Sequence, residues 1–352
     1  MSRPINIGIV GYGYWGPNLV RNFKSLKGCN VKLVCDPNPK RLAHLHELYP
    51  DIETYSDFNL MLKDGDVEAL AIATPVRLHY SLARTALEAG KHTFIEKPMA
   101  SSVAECRSLC AIAKQHDLTL MVGHTFLYSS PVRKIKEIVD SHELGDLCYI
   151  SSRRLNLGLF QSDINVVWDL APHDLSIIAY LMNKWPAAVN CHGKGNLNQA
   201  TEDIANLTLF FNDAGFAMVH SSWLDPRKVR EMTIVGTKKM LVYDDLEPLQ
   251  KIRIYDQHVD APPHYDTFGD FHYSYHYGDM VAPHLKQEEP LKVECQHFLD
   301  CIRSRENPLS NGYQGLQVVA ILESASESIK RGGVQVQLPA DLASTTFSEF
   351  QG

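Results

Sequence analysis

The 352-residue chain has no block of like charge: 34 Lys and Arg stand against 41 Asp and Glu, for a net charge of −7 with no basic tail. That lack excludes the electrostatic footprint of a nucleic-acid or anionic-membrane surface, although a few local cations would still serve a phosphorylated substrate. No apolar run approaches membrane-spanning length. No secretory leader precedes the first strand, so a cytoplasmic location is expected. The eight cysteines (Cys29, Cys35, Cys106, Cys110, Cys148, Cys191, Cys295 and Cys301) form no C-x-x-C pair. They read as reduced thiols rather than as a disulfide framework or zinc knuckle. There is no internal repeat and no low-complexity segment. What remains is ordinary for a globular protein, 45% hydrophobic and 21% charged, with length for two domains.

The organising stretch runs from Ile5 to Asp36. A β-branched run, Ile5 to Val10, reads as a buried strand. Gly11-Tyr12-Gly13-Tyr14-Trp15-Gly16 follows and fits G-x-G-x-x-G, after which Leu19, Phe23 and Leu26 mark one face of a helix. A second strand, Val31 to Cys35, ends on Asp36, twenty residues past Gly16. In this order the parts predict a dinucleotide site. Gly11 permits the turn, Gly13 admits a pyrophosphate, Gly16 lets helix and strand pack, and the helix N-terminus offers unpaired N–H groups. Asp36 would accept from the ribose hydroxyls and repel a 2′-phosphate, which favours NAD over NADP.

Helix and strand alternate on to about Val122, as a doubly wound parallel sheet requires, so residues 1–123 are read as the NAD-binding domain. From residue 124 onward the pattern changes. Strand-like stretches at Cys148 to Arg153, Ala205 to Phe211, Gly215 to Ser221, Glu231 to Val235, Lys239 to Tyr243 and Lys251 to Tyr255 predict an α+β domain over 124–352, built on an open, mainly antiparallel sheet. Its exposed face would favour a homodimer or homotetramer. Asp260 to Pro290, rich in His and aromatics, has no period and reads as a long loop; Leu291 to Arg303 and Gly312 to Lys330 read as helices.

Ligands of open α/β sheets sit beyond the C-terminal strand ends. That marks Gly11 to Gly16, Thr74-Pro75 with His79, and Glu96-Lys97-Pro98, where the Lys97–Pro98 bond is a candidate for cis geometry. In Trp168-Asp169-Leu170-Ala171-Pro172-His173-Asp174, Asp169 and His173 fall on one face if a helix starts near Asp169, and Pro172 suits only its first turn. An acid beside a histidine makes a proton acceptor, although a capping Asp169 with a core His173 is an equal reading of the motif alone. Arg153 and Arg154 are either cationic contacts for a nucleotide diphosphate or solvent-facing strand charges. The spacing of His264, His272, His276 and His284 fits no compact zinc site, and no metal is expected.

Four motifs together, GYGYWG, the T-P-x-x-x-x-H of Thr74 to His79, the Ala89 to Pro98 segment AGKHTFIEKP and the D-x-x-x-H of Asp169 to His173, resemble the Gfo/Idh/MocA family of sugar and cyclitol dehydrogenases across nearly the whole chain. The resemblance implies a Rossmann domain and a catalytic set of Lys97, Asp169 and His173. His173 would be the general acid/base, Lys97 would bind and polarise the reacting oxygen, Asp169 would hydrogen-bond substrate, and His79 would lie by the cofactor.

Two positions depart from the family pattern: Asp163-Ile164-Asn165 replaces a glycine run, and His124-Thr125 follows Gly123. The WDLAPHD form with Trp168, the HTFLYS of His124 to Ser129 and the Arg153-Arg154 pair resemble the branch that acts on nucleotide-linked sugars, such as UDP-N-acetylglucosamine 3-dehydrogenases. The expectation is oxidation of a secondary hydroxyl at C3 of such a sugar, in polysaccharide or lipid synthesis. A ketosugar reductase, a free-sugar or inositol dehydrogenase, and an NAD-binding regulatory protein are the alternatives.

Overall fold

The computed structural model describes residues 3–63, 66–158, 160–161, 164–212, 215–260, 273–343 and 345–350. Two compact units result, and the division is not a single cut in sequence. The first comprises residues 1–129, 288–323 and 346–352; the second comprises 130–287 and 324–345.

In the first unit, β1 (Ile5–Val10), α1 (Gly16–Lys24), β2 (Cys29–Cys35), α2 (Pro39–Leu48), β3 (Glu53–Tyr55), α3 (Phe58–Leu62), β4 (Ala69–Ile72), α4 (Val76–Glu88), β5 (His92–Glu96), α5 (Val103–Gln115) and β6 (Leu120–Gly123) alternate. The strands pair in parallel in the order β3-β2-β1-β4-β5-β6, so the order reverses between β1 and β4. That reversal opens the crevice in which such sheets bind dinucleotides. β1 and β4 are buried on both faces, which is why they read as continuous apolar runs.

The second unit begins with α6 (Ser130–Asp140), β7 (Leu147–Leu157) and α7 (Val166–Met182). It continues through β8 (Ala188–Lys194), β9 (Ile204–Phe210), β10 (Phe216–Ser222), β11 (Leu224–Gly236), β12 (Met240–Asp244), β13 (Ile252–Asp260) and β14 (Ser274–Val281). The chain then returns to the first unit with α8 (Pro290–Ser304) and the start of α9 (Gly312–Lys330), the division falling between Glu323 and Ser324, before β15 (Val336–Gln337). What draws α8 to the first unit is a ring cluster: Phe298 meets Phe23 and Phe94 edge-on at 6.4 and 5.8 Å.

Among the described residues the second sheet has nine strands in the order β14-β13-β12-β11-β7-β10-β9-β8-β15. Every pair is antiparallel except β7 with β10. Alternation divides the faces of β10. Ala217 and Val219 are buried, whereas Phe216 and Met218 are exposed, Phe216 stacking on Tyr149 at 6.0 Å.

Three expectations need correction. Helix α7 starts at Val166, capped by the Asn165 side chain accepting from Trp168 N, so Pro172 lies inside the helix rather than in its first turn. The cap comes earlier than the Asp169 signal suggested, and proline only removes the donor that would have reached Trp168. Second, β14 lies within the segment read as a loop. All eight of its residues are exposed, so no apolar–polar alternation betrays it. Third, β8 and β15 carry strands that the pattern did not single out.

Candidate functional site

The first unit supplies a phosphate cradle. Gly11 has φ +95°, and a Cβ there would stand 2.5 Å from the Ala73 carbonyl oxygen; a Cβ on Gly16 would come within 2.1 Å of the Gly11 oxygen. Only glycine fits either place. Gly13 has nothing nearer to a Cβ position than the Arg41 guanidinium at 3.6 Å, so its backbone is open to a ligand. The Trp15 side chain makes no hydrogen bond as cap of α1, and its first turn carries no acid, which leaves the helix N-terminus to an anion. Tyr12 is buried and Tyr14 is 90% exposed.

Asp36 has a structural place in this turn. It is buried at the end of β2, where Oδ2 accepts from Tyr12 N at 2.7 Å and Oδ1 from Asn38 N at 2.8 Å. It therefore ties the glycine turn to the start of α2. Arg41 Nη1 reaches Oδ2 at 3.2 Å from a half-exposed side chain.

His79 is a strap between two strand-end loops. Its Nε2 lies 2.7 Å from the Thr74 carbonyl and its Nδ1 2.9 Å from that of Pro98, just after the cis Lys97–Pro98 bond. Burial lowers its pKa, against the pull of those two carbonyls. Pro75 sits at the N-cap of α4 and sets the entry of that helix.

Around Lys97 lies a buried polar group that the sequence reading only half anticipated. Burial pushes the Glu96 carboxyl up to about 7, opposed by the Lys97 charge and the Trp15 indole. Burial, then Lys97, drives His124 down to about 3, and neither of its ring nitrogens has a hydrogen-bond partner among the described residues. Gly123 leaves room for the Glu96 carboxyl, since a Cβ there would lie 2.9 Å from Oε2. Fully buried Glu294 on α8 accepts from Thr125 Oγ1 at 2.7 Å, and burial together with the Glu96 charge raises it well above the usual carboxylate range. No motif marks Glu294, a single acid on an otherwise apolar helix face.

The second unit holds the acid–histidine pair. One turn apart on α7, Asp169 and His173 are both half-buried. Trp223, fully buried at the junction of β10 and β11, donates its indole N–H to Asp169 Oδ2 at 3.0 Å. Trp168 turns its indole N–H to Ser326 Oγ at 2.9 Å instead.

The arginine pair divides between the two faces of β7. Arg153 pairs across the sheet with Glu231, its register partner, on an exposed face. Arg154 is buried and grips Asp174 of α7 through Nε at 2.8 Å and Nη2 at 3.1 Å, while Ser152 Oγ adds a third bond at 2.9 Å. The structure thus gives Arg154 a helix-to-sheet ion pair and not the solvent-facing place of a strand charge. Asp174, adjacent to His173, went unassigned in the sequence. Asp163 lies outside the described residues.

Residues 5–124 match the oxidoreductase family with NAD-binding Rossmann fold, Gfo/Idh/MocA, and residues 132–242 match its C-terminal domain. The chain belongs to this family of oxidoreductases and binds NAD through its Rossmann domain. It is similar to the uncharacterized oxidoreductase YrbE of Bacillus subtilis, 26% identical over 94% of this chain and 96% of that protein. It is also 24% identical to UDP-N-acetylglucosamine 3-dehydrogenase of Acidithiobacillus ferrooxidans, over 89% of this chain and 93% of that one. Among solved structures, levoglucosan dehydrogenase in complex with NADH and L-sorbose shares the fold, with TM-score 0.81, 18% identity, and coverage of 95% of this chain and 99% of that chain.

Proposed function

We propose that the protein is an NAD-dependent dehydrogenase for a secondary hydroxyl of a nucleotide-linked sugar, with C3 of a UDP-N-acetylhexosamine as the first candidate, and that Lys97, Asp169 and His173 carry the reaction. The observation that carries this reading is the Asp169–His173 pair on α7, one turn apart and anchored through Trp223. A regulator that only sensed NAD would have no use for an oriented proton acceptor. Similarity to UDP-N-acetylglucosamine 3-dehydrogenase supports the substrate class.

The bound cofactor would supply the hydride acceptor, nicotinamide C4. His173 takes the hydroxyl proton, for which its neutral ring is the competent form. Asp169 favours the imidazolium that results, and the Trp223 bond fixes which way its carboxylate faces. Lys97 donates to the reacting oxygen and stabilises the negative charge that grows on it. In the reverse direction the same groups reduce a ketosugar. His124 and Trp168 are assigned to the substrate side, and Tyr149, Phe216 and Met218 on the open sheet face to a homodimer or homotetramer. A cytoplasmic location fits this chemistry.

A second reading, a free-sugar or inositol dehydrogenase, is favoured by one observation: both arginines nominated for a diphosphate are ion-paired within the protein. Purified protein with NAD should be offered UDP- and dTDP-sugars, free hexoses and inositols while reduced nicotinamide is followed by absorbance. Turnover confined to a UDP-sugar supports the first reading; turnover confined to free sugars or inositols replaces it with the second.

A further inference from the structure

Strands β13 and β14 form the outer edge of the second sheet, and three potential ligands meet on one face of that pair. His258 and His276 are direct register partners, and their rings stack with centroids 4.6 Å apart. Asp256 precedes His258 by two residues, at the register shift between Tyr255 and Gln257, and its Oδ2 lies 3.1 Å from His276 Nε2. One ligand atom from each of the three lies within 4.8 Å of the other two.

Neighbouring residues serve this cluster. Two positions after His276, Gly278 leaves space for the Asp256 carboxylate, because a Cβ there would stand 2.3 Å from Oδ2. The Asp260 carboxylate faces His258 Nε2 at 3.5 Å, which favours the proton on that nitrogen and leaves the lone pair on Nδ1. That Nδ1 is buried and has no hydrogen-bond partner among the described residues. A carboxylate behind a histidine with its other nitrogen unused is how proteins prepare an imidazole for a metal.

We propose that Asp256, His258 and His276 bind one divalent transition-metal ion, zinc foremost, and that this ion ties β14 to β13. Two imidazoles and a carboxylate suit zinc, cobalt or nickel; calcium and magnesium prefer oxygen alone, and no cysteine is present to select a softer ion. Strand β14 has a physical use for such a tie. All eight of its residues are exposed, so little apolar burial holds it at the sheet edge. The expectation of no metal came from spacing among histidines along the chain. Of those, His264 and His272 lie outside the described residues and His284 is exposed apart from the cluster. The donors that converge are two on one strand and one across from it, a relation that linear spacing does not reveal.

The test is titration of Zn²⁺ by calorimetry, and of Co²⁺ by visible absorbance, into full-length protein stripped with chelator and desalted. The proposal predicts saturation at one ion per chain and a metal-dependent rise in melting temperature. His258→Ala, His276→Ala and the milder Asp256→Asn should each weaken affinity by about tenfold or more, since removing even an outer-shell partner costs that much. Far-UV circular dichroism and a cooperative thermal transition of the metal-free proteins should match wild type in all three, which certifies the folding of the second unit that carries them. Absence of saturable binding, or binding and stabilisation that persist undiminished in a folded His258→Ala/His276→Ala protein, overturns the proposal.

Discussion

Trp223 donates its indole N–H to Asp169 Oδ2 at 3.0 Å, so a residue fifty-four positions away sets the orientation of the acid that precedes His173 by one turn. A hydrogen bond to a charged group contributes about 1.5–3 kcal/mol, and here it constrains the carboxylate proposed to act beside His173. Trp223→Phe keeps an aromatic ring in the site and removes the donor. Turnover should fall by about tenfold or more at little change in KM, with the thermal transition still cooperative. An unaltered kcat would show that Asp169 needs no such anchor.

Lys97→Ala is expected to bind NAD normally, because the glycine turn, Asp36 and His79 are untouched. Steady-state turnover should drop by about a hundredfold or more through loss of charge stabilisation at the reacting oxygen. Cofactor fluorescence measures the first property and nicotinamide absorbance the second.

Asp36→Ala should act on cofactor choice and on the loop together. It frees Arg41 for a 2′-phosphate and strands the Tyr12 and Asn38 N–H groups that Asp36 now accepts. NAD affinity should fall, and the ratio of NAD to NADP efficiency should fall further. A ratio that stays constant would assign the preference to another residue.

The buried groups near Lys97 predict opposite pH slopes in the stability of the protein without cofactor. Glu96, pushed up to about 7, holds its proton more tightly folded than unfolded. Its contribution is present below the ordinary carboxylate range and lost as pH rises toward 7. His124, driven down to about 3, contributes above its ordinary range near 6.5 and loses that contribution as pH falls. Chemical denaturation across pH 3–8 should therefore show Glu96→Gln reducing a decline between about 4.5 and 7, to which raised Glu294 also contributes, and His124→Asn reducing a rise between about 3 and 6.5.

Arg154→Ala separates a structural role from a substrate role. Leaving Asp174 buried and unpaired should cost about 3–5 kcal/mol of stability, and the pair replacement Arg154→Met/Asp174→Leu should restore much of it. A stable Arg154→Ala protein with only a raised KM for a nucleotide sugar would reinstate this arginine as a phosphate contact.

The dinucleotide half was legible because its signals are local. Strand, G-x-G-x-x-G, helix and Asp36 lie within one short stretch, and β4 and β5 end where Thr74-Pro75 and Lys97-Pro98 said they would. The D-x-x-x-H spacing placed Asp169 and His173 on one face even though the helix begins earlier, since period alone decides that relation. What stayed hidden depends on partners remote in sequence. Glu294 meets Thr125 from 169 positions away, Asp174 of α7 meets Arg154 of β7, and Trp223 meets Asp169 from another element. Strand β14 was hidden for a different reason: with every residue exposed, it carries no period to read.

The most direct test of the account is to run the sugar panel on wild type and on His173→Ala side by side, with NAD affinity measured for both. The account predicts that at least one sugar substrate yields reduced nicotinamide with the wild type. His173→Ala should bind NAD equally well and lose about a hundredfold or more in turnover on that substrate, with partial recovery at high pH as solvent takes over the proton. Equal turnover by the two proteins, or no reaction in either direction with any sugar or ketosugar while NAD remains bound, would contradict it.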